Sequence, residues 1–166
     1  MTKLLLSLHV LAAIVAVGPV TVAASMFPST LRRALGDGDG DGDRDGGDGD
    51  ARTTLRTLHR ICRVYAGIGI AVPLFGFATA SSLGVLDDTW LITSILLTAA
   101  AAGLLVLLIL PAQDRALAER ASSAAPSSSP TPLTPGRLAM LTGIFNLLWA
   151  AVTVLMIIRP GSTTGV

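Results

Sequence analysis

Four long stretches of this chain contain no Asp, Glu, Lys or Arg. Each reaches the roughly 20 residues that an α-helix needs to cross the ~30 Å hydrocarbon layer of a bilayer. They extend from Leu4 to Phe27, from Val64 to Leu86, from Trp90 to Leu110 and from Leu138 to Ile158. The pattern predicts an all-α membrane protein built as a bundle of four transmembrane helices.

Composition supports a membrane location. Hydrophobic residues make up 51% of the 166 residues and charged residues only 14%, a balance too apolar for a soluble domain of this size. We therefore expect one four-helix membrane domain over residues 1–166, in a multi-pass protein of the plasma membrane whose first partner is the lipid bilayer. The net charge of +1 indicates no nucleic-acid partner, and the single Cys62 permits no internal disulfide.

Basic residues predict the orientation of the chain. The first long connection, Pro28 to Arg63, carries seven arginines, and the third, Pro111 to Arg137, carries three, whereas the opposite side has only Lys3 and Arg159. Because Lys and Arg concentrate on the cytoplasmic side, both long connections are predicted there and both termini outside. A secretory signal in place of the first span is the less favoured alternative, since signal peptides have shorter apolar runs of ~7–15 residues.

The two long connections contain low-complexity stretches. Residues Gly36 to Asp50 are almost all Asp and Gly, and Ala121 to Pro135 are mostly Ser, Pro and Ala. Such compositions cannot build a core, so we predict a disordered cytoplasmic loop and a flexible tether. A calcium-binding loop is the less favoured alternative, because an Asp-Gly repeat creates most of its pattern and the twelfth position lacks the usual Glu. The positions that match it are Asp37, Asp39, Asp41, Gly42, Asp45 and Asp48.

Helical periodicity returns just before the second span. One face is apolar and the opposite face is a stripe of arginines, which predicts a short amphipathic helix lying at the cytoplasmic headgroups. The apolar face consists of Leu55, Leu58, Cys62 and Tyr65, and the stripe of Arg52, Arg56, Arg60 and Arg63. His59 lies on this segment and is predicted to be a surface histidine.

Small residues recur at helical spacing along the first two spans, which are predicted to pack antiparallel because small side chains let backbones approach closely in lipid. Pro19 and Pro73 each remove a backbone hydrogen bond, so we expect kinks there that act as a hinge or simply as packing features. The stripes are Ala12, Ala16, Pro19 and Ala23 in the first span, and Ala66, Gly69, Pro73, Gly76, Ala80 and Gly84 in the second.

Polar residues mark one face of the fourth span, namely Thr142, Asn146, Ala150 and Thr153. Asn146 falls near mid-bilayer, and a buried carboxamide needs partners, so this face is predicted to turn inward, with Thr98 as a candidate partner. It could line a path for a small ligand, or it could hold the helices in register. The second interpretation is favoured because coupled transport usually needs an intramembrane charge.

His9 is the only histidine inside a span and heads the best candidate site. Four hydroxyl residues are expected at a similar depth, so a polar or ligand-binding cluster is predicted from His9, Ser81, Ser82, Ser94 and Thr153, with Asn146 deeper. His9 could ligate haem or a metal or handle protons, but the favoured interpretation is an interhelical hydrogen bond. No second ligand is close in sequence or depth, so neither a metal site nor a cofactor is predicted.

The first span also carries a family resemblance. The segment Leu8 to Ile14, LHVLAAI, followed by Gly18, resembles the start of small four-helix bacterial predicted integral membrane proteins, the domain of unknown function 2269 family. It resembles the copper-resistance D-type membrane proteins less closely. The first resemblance implies the four-span layout and no particular activity. The second implies that His9 contacts a metal or haem.

These features favour a protein without catalytic activity. No nucleophile–base pair, carboxylate pair or metal quartet lies within a span or on the short connection containing Asp87 and Asp88, so the chain is not predicted to be an enzyme. We expect an accessory or assembly component that packs through small-residue helix faces, as a homo-oligomer or within a larger membrane complex. Two alternatives remain open: a carrier for a small solute or metal ion that uses His9 and Asn146, and a haem-binding membrane protein.

Overall fold

The computed structural model describes residues 1–36, 44–121 and 134–161. All regular structure in these ranges is helical, and four of the helices are long and apolar enough to cross a membrane. The predicted all-helical, four-span class is therefore confirmed. The Ser-Pro tether and most of the calcium-loop positions lie outside the described residues.

The helices follow the order of the four predicted spans. The first span is α1 (Thr2–Gly36), and the second comprises α2 (Arg44–Ile68) and α3 (Ala71–Leu83). The third comprises α4 (Thr89–Gly103), a π-helical segment (Leu104–Ile109) and α5 (Leu110–Ala121). The fourth is α6 (Pro135–Ile158).

Three spans continue well beyond their apolar stretches, which corrects the predicted loops. α1 runs past Phe27 to Gly36, α5 runs past Leu110 to Ala121, and α2 begins at Arg44, inside the predicted disordered loop. The described parts of residues 28–63 and 111–137 are thus largely helical. These extensions are amphipathic and pack together at one end of the bundle, which we call the arginine end.

The arginine end holds most of the hydrophobic core. Its cluster joins all four spans and includes Phe27, Leu31, Leu55, Leu58, Ile109, Ala112 and Leu138, all buried. A much smaller cluster of Ala80, Trp90 and Leu91 lies at the other end. Burial of the apolar faces against one another explains why the helices persist past the membrane-spanning stretches.

The amphipathic segment before the second span has the predicted faces but is part of a longer helix. Leu55, Leu58 and Cys62 are buried and the arginines are exposed, as the periodicity indicates. However, this segment is the middle of α2, which is continuous into the span and packs against α1 and α5. The helix is therefore longer than the short one predicted, and its apolar face packs on protein.

Proline determines where the second span is interrupted. Pro73 has no N–H, and its ring would clash with the carbonyl of residue 69 in a continuous helix. The helix stops at Ile68 and restarts at Ala71, with turn bonds from Ile70 N–H to Gly67 O at 3.2 Å and from Val72 N–H to Gly69 O at 3.1 Å. By contrast, α1 is helical through Pro19 and Pro28.

The helix contacts place the first two spans side by side, as predicted. α1 packs against α2, α3 and α6; α4 packs against α6; and α5 packs against α2. Ala16, Ala23 and Ala80 of the two small-residue stripes are buried. The stripes therefore serve packing within one chain.

Candidate functional site

His9 makes a hydrogen bond between two helices. Its Nδ1 lies 2.9 Å from the backbone oxygen of Val72 in α3. Because a carbonyl can only accept, Nδ1 must donate its proton, and a neutral ring then keeps its lone pair on Nε2. The ring lies beside Gly76, where an ideal Cβ atom would come within 2.8 Å of His9 Cε1. Gly76 thus provides the space that lets His9 reach the backbone next to the helix break.

The four hydroxyl residues expected around His9 make no hydrogen bond to it among the described residues. Three of them bond to carbonyls of their own helices: Ser82 to Thr79, Ser94 to Trp90 and Thr153 to Trp149, each at 2.8 Å. Ser81 is exposed, and none of the four donates to His9 among the described residues. Hydroxyls in apolar helices commonly bond back to the preceding turn. Counting residues predicts how far along a span each hydroxyl lies, but it does not predict how the helix is rotated about its axis.

Asn146 takes a different partner from the one expected. Its Nδ2 donates to Ser25 Oγ of α1 at 3.1 Å, whereas Thr98 donates to Ser94 O of its own helix at 2.7 Å. Ser25 is ~24 Å from His9 along α1 at 1.5 Å per residue, so the structure does not bring His9 and Asn146 into one site.

The predicted polar face of α6 turns inward over only part of its length. Thr142 is buried and donates to Leu138 O, with Ala24 O at 3.5 Å, but Ala150 and Thr153 are exposed. Asn146 Oδ1 and the indole nitrogen of Trp149 are buried without a hydrogen-bond partner among the described residues. The inward part of this face therefore joins α6 to α1.

A buried polar cluster at the arginine end was missed by the sequence analysis. The side chain of His59 is largely buried, with Nδ1 at 3.1 Å from Gln113 Oε1 and Nε2 at 3.0 Å from Asp114 Oδ1. The Nε2 contact has an ion-pair distance but not the alignment of a hydrogen bond. Gln113 Nε2 lies 3.8 Å from Cys62 Sγ and completes the cluster.

The predicted surface position of His59 is therefore wrong. It is buried because α5 continues past Pro111 and covers this face of α2. One signal was available: His59 shares its helix face with Leu55, Leu58 and Cys62, the apolar side of the segment.

Burial also changes the chemistry of the single cysteine. The thiol of Cys62 is fully buried in α2, which shields it from reagents in the aqueous phase. Within residues 1–36, 44–121 and 134–161, no group of three or more His, Cys, Asp or Glu side chains lies close enough to hold a metal ion.

The opposite end of the bundle is closed by polar contacts around Trp90. Its indole nitrogen donates to Asp88 Oδ2 at 2.9 Å, and the guanidinium of Arg159 lies 5.7 Å from its ring centroid. Amphipathic Trp and Arg side chains favour the membrane–water boundary. These contacts link the turn before α4 to the end of α6.

The outward face of α6 alternates small and large residues as far as Val154. Going along the helix in steps of four and three, it presents Gly136, Met140, Gly143, Leu147, Ala150, Val154 and Ile157, all exposed. Gly136, Gly143 and Ala150 recur every seventh residue, and a Cβ atom added at either glycine would meet nothing within 4 Å. We call these seven residues the α6 seam, because alternation at heptad spacing is typical of a helix that packs against another helix.

Fold and contacts together define a multi-pass helical membrane protein. Comparison of the chain with protein-family models, with curated proteins and with solved structures gives no match. The family resemblance of the first span therefore stays a prediction.

Proposed function

We propose that this protein is a non-catalytic membrane component that assembles with further copies of itself through the α6 seam. The observation that carries this proposal is the alternation of small and large exposed residues along one face of α6. Two copies in one membrane share an orientation, so their α6 helices run parallel. Each large side chain, such as Leu147, then lies beside the space left by Gly143 and Ala150 of the facing helix.

The proposed surface differs from the one that the sequence suggests. The stripes on the first two spans are largely occupied within the chain: Ala16, Ala23 and Ala80 are buried, and Gly76 is filled by His9. Small residues on α6 remain open to the outside. Because lipid tails are as apolar as leucine, close packing over small residues is what favours association.

The polar side chains of the spans support a role without catalysis or coupled transport. Thr79, Ser94, Thr98, Thr142 and Thr153 all bond to carbonyls of their own helices. Such hydroxyls stabilise the helices that carry them and are not organised around a substrate. The carrier alternative has less support, since its two key residues, His9 and Asn146, are far apart along the bundle.

Cysteine crosslinking in native membranes tests the proposal. Cys62 is the only cysteine, so a Cys62→Ala background gives clean single-cysteine variants. Leu147→Cys places a thiol in the seam, and Leu107→Cys is its control, because both leucines are about equally exposed, at 71% and 72%. We expect a disulfide-linked dimer under mild oxidation only for Leu147→Cys.

A packing substitution provides the second arm of this test. Gly143→Leu fills the seam and should convert the assembled form to monomer in blue-native electrophoresis. Gly18→Leu is the matched control, because Gly18 is also exposed with open space around it, but on α1. A monomeric wild-type protein, or crosslinking of Leu147→Cys only to a different protein, would rule out self-assembly through this face.

The haem-binding alternative makes a separate prediction. A neutral His9 offers only Nε2 to an iron atom, because Nδ1 is engaged with Val72. Protein purified from its native membrane would then show Soret absorbance that His9→Ala removes. A spectrum without that band excludes this alternative and leaves the assembly proposal unaffected.

A further inference from the structure

His59 connects two consecutive spans at the arginine end. It lies on α2, and its ring contacts two neighbouring residues of α5, Gln113 and Asp114. Gln113 is fully buried and the ring is 8% exposed, so water reaches these contacts poorly. Polar contacts have more effect on stability in such a place than on an open surface.

Both ring nitrogens face oxygen atoms. Gln113 Nε2 is directed at Cys62 Sγ, which leaves its Oε1 for Nδ1 of His59 at 3.1 Å. Nε2 of the ring is 3.0 Å from the carboxylate of Asp114. With Nδ1 donating to Gln113 Oε1, a neutral ring directs the lone pair of Nε2 toward the carboxylate of Asp114, whereas an imidazolium places a positive charge there. The ion pair therefore requires the protonated ring.

The charges around the ring act in opposite directions. Asp114 on α5 favours the imidazolium, and its 54% exposure keeps the carboxylate hydrated when the ring is neutral. Arg56, Arg60 and Arg63 on α2 and Arg115 on α5 are nearby in sequence and exposed, so solvent screens their repulsion. On α1, Phe27 and Leu31 are buried at this level, and the charged residues Arg32 and Arg33 are exposed. Glu119 and Arg120 lie further along α5.

We infer that His59 is a proton-operated link between the second and third spans. When the ring binds a proton, Nδ1 donates to Gln113 and the charged ring forms an ion pair with Asp114, and both contacts hold α2 against α5. When the proton leaves, one contact is lost and Asp114 has no positive partner in the cluster. The packing of these two spans thus depends on the pH of the compartment that the arginine end faces.

The test measures thermal unfolding of the purified full-length protein between pH 5 and 8, the range in which histidine ordinarily changes charge. The protonated ring is the stabilising form, so stability is present at low pH and is lost as pH rises. We expect the unfolding temperature to fall by about 2–4 °C across this range, the shift that corresponds to ~1 kcal/mol in a protein of this size.

Three variants locate the effect. His59→Gln and Asp114→Asn should each flatten the pH dependence, whereas His9→Asn should retain it, and these are the only two histidines in the chain. A wild-type unfolding temperature that does not change with pH, or a dependence that disappears only with His9→Asn, would overturn the inference.

A measurement on the wild-type protein does not depend on whether the variants fold. Nitrogen-15 histidine NMR of the wild-type protein at pH 5 should show one ring protonated on both nitrogens, with the signals of the other ring identified by His9→Asn. A His59 ring that stays neutral throughout this range while the protein is folded would contradict the inference directly.

Discussion

The imidazole ring of His9 occupies the space that any side chain larger than hydrogen would need at Gly76. An ideal Cβ atom there would lie 2.8 Å from Cε1 and 3.0 Å from Nδ1 of the ring. The same ring bonds to the backbone of Val72, one turn earlier in α3. A glycine on one helix and a histidine on another thus fix the contact between α1 and α3 next to the break in the second span.

Gly76→Ala should destabilise the protein. The added methyl group displaces the His9 ring and breaks its bond to Val72, so we expect a loss of about 1–3 kcal/mol in the free energy of unfolding, typical of an overpacked site. Gly67→Ala is the control, because Gly67 is exposed on α2 with open space around it. Alanine there should be neutral or stabilising. Reversible unfolding in detergent measures both, and equal effects would contradict the packing argument.

A double-mutant cycle isolates the His9–Gly76 contact. In a His9→Ala background the clash is absent, so Gly76→Ala should then cost much less than it does beside the intact histidine. The difference between the two costs is the interaction energy. Identical costs in both backgrounds would show that Gly76 matters for a reason other than His9.

The hydrogen bond from Asn146 to Ser25 should contribute modestly to stability. Interhelical bonds in membranes average about 0.6 kcal/mol in double-mutant cycles, so Ser25→Ala and Asn146→Ala should couple by roughly that amount. Thr153→Ala combined with Ser25→Ala is the control, because Thr153 bonds to its own helix. Urea or detergent unfolding of the wild type, the three single variants and the two double variants gives both couplings. An equal coupling energy in the control pair would show that Asn146 has no specific role in this contact.

Cys62 should resist thiol reagents while the protein is folded. Its side chain is fully buried, so the reagent cannot reach the thiol. We expect maleimide labelling at neutral pH only after unfolding. Rapid labelling of the native protein would disprove the burial.

The predicted orientation can be checked with cysteines introduced into the two long connections. In the Cys62→Ala background, Asp41→Cys and Ser122→Cys should react with an impermeant reagent from the same side of the membrane, the cytoplasmic one. Ser162→Cys, beyond the end of α6, should react from the outside. Labelling of Asp41→Cys and Ser122→Cys from opposite sides would contradict the four-span topology itself.

The four spans were predictable because the bilayer imposes a simple requirement on sequence. Any segment that crosses it must be long, apolar and internally hydrogen-bonded, and the runs starting at Leu4, Val64, Trp90 and Leu138 meet that requirement without reference to the rest of the fold. The break near Pro73 was also predictable, since a missing N–H acts locally. The missing N–H of Pro19, by contrast, does not interrupt α1.

The extent of the helices and the polar contacts were not predictable from local pattern. Whether Leu31, Leu55 and Ala112 extend their helices depends on their meeting one another, which the sequence of each segment does not contain. The prediction for His59 is wrong for the same reason, because the sequence predicts a connection where α5 covers this residue. Likewise, the depths of Ser94 and Thr153 follow from residue counting, but their directions depend on how each helix is rotated in the bundle.

The unequal distribution of core residues has a mechanical consequence. Among the described residues close to the termini, the buried cluster is small and consists of Ala80, Trp90 and Leu91, whereas the other extremity has a contiguous core from every span. A force applied through the termini therefore meets the weaker half first. Single-molecule extraction should separate the helices from that side inward, with the last and largest rupture at the level of Phe27 and Leu58.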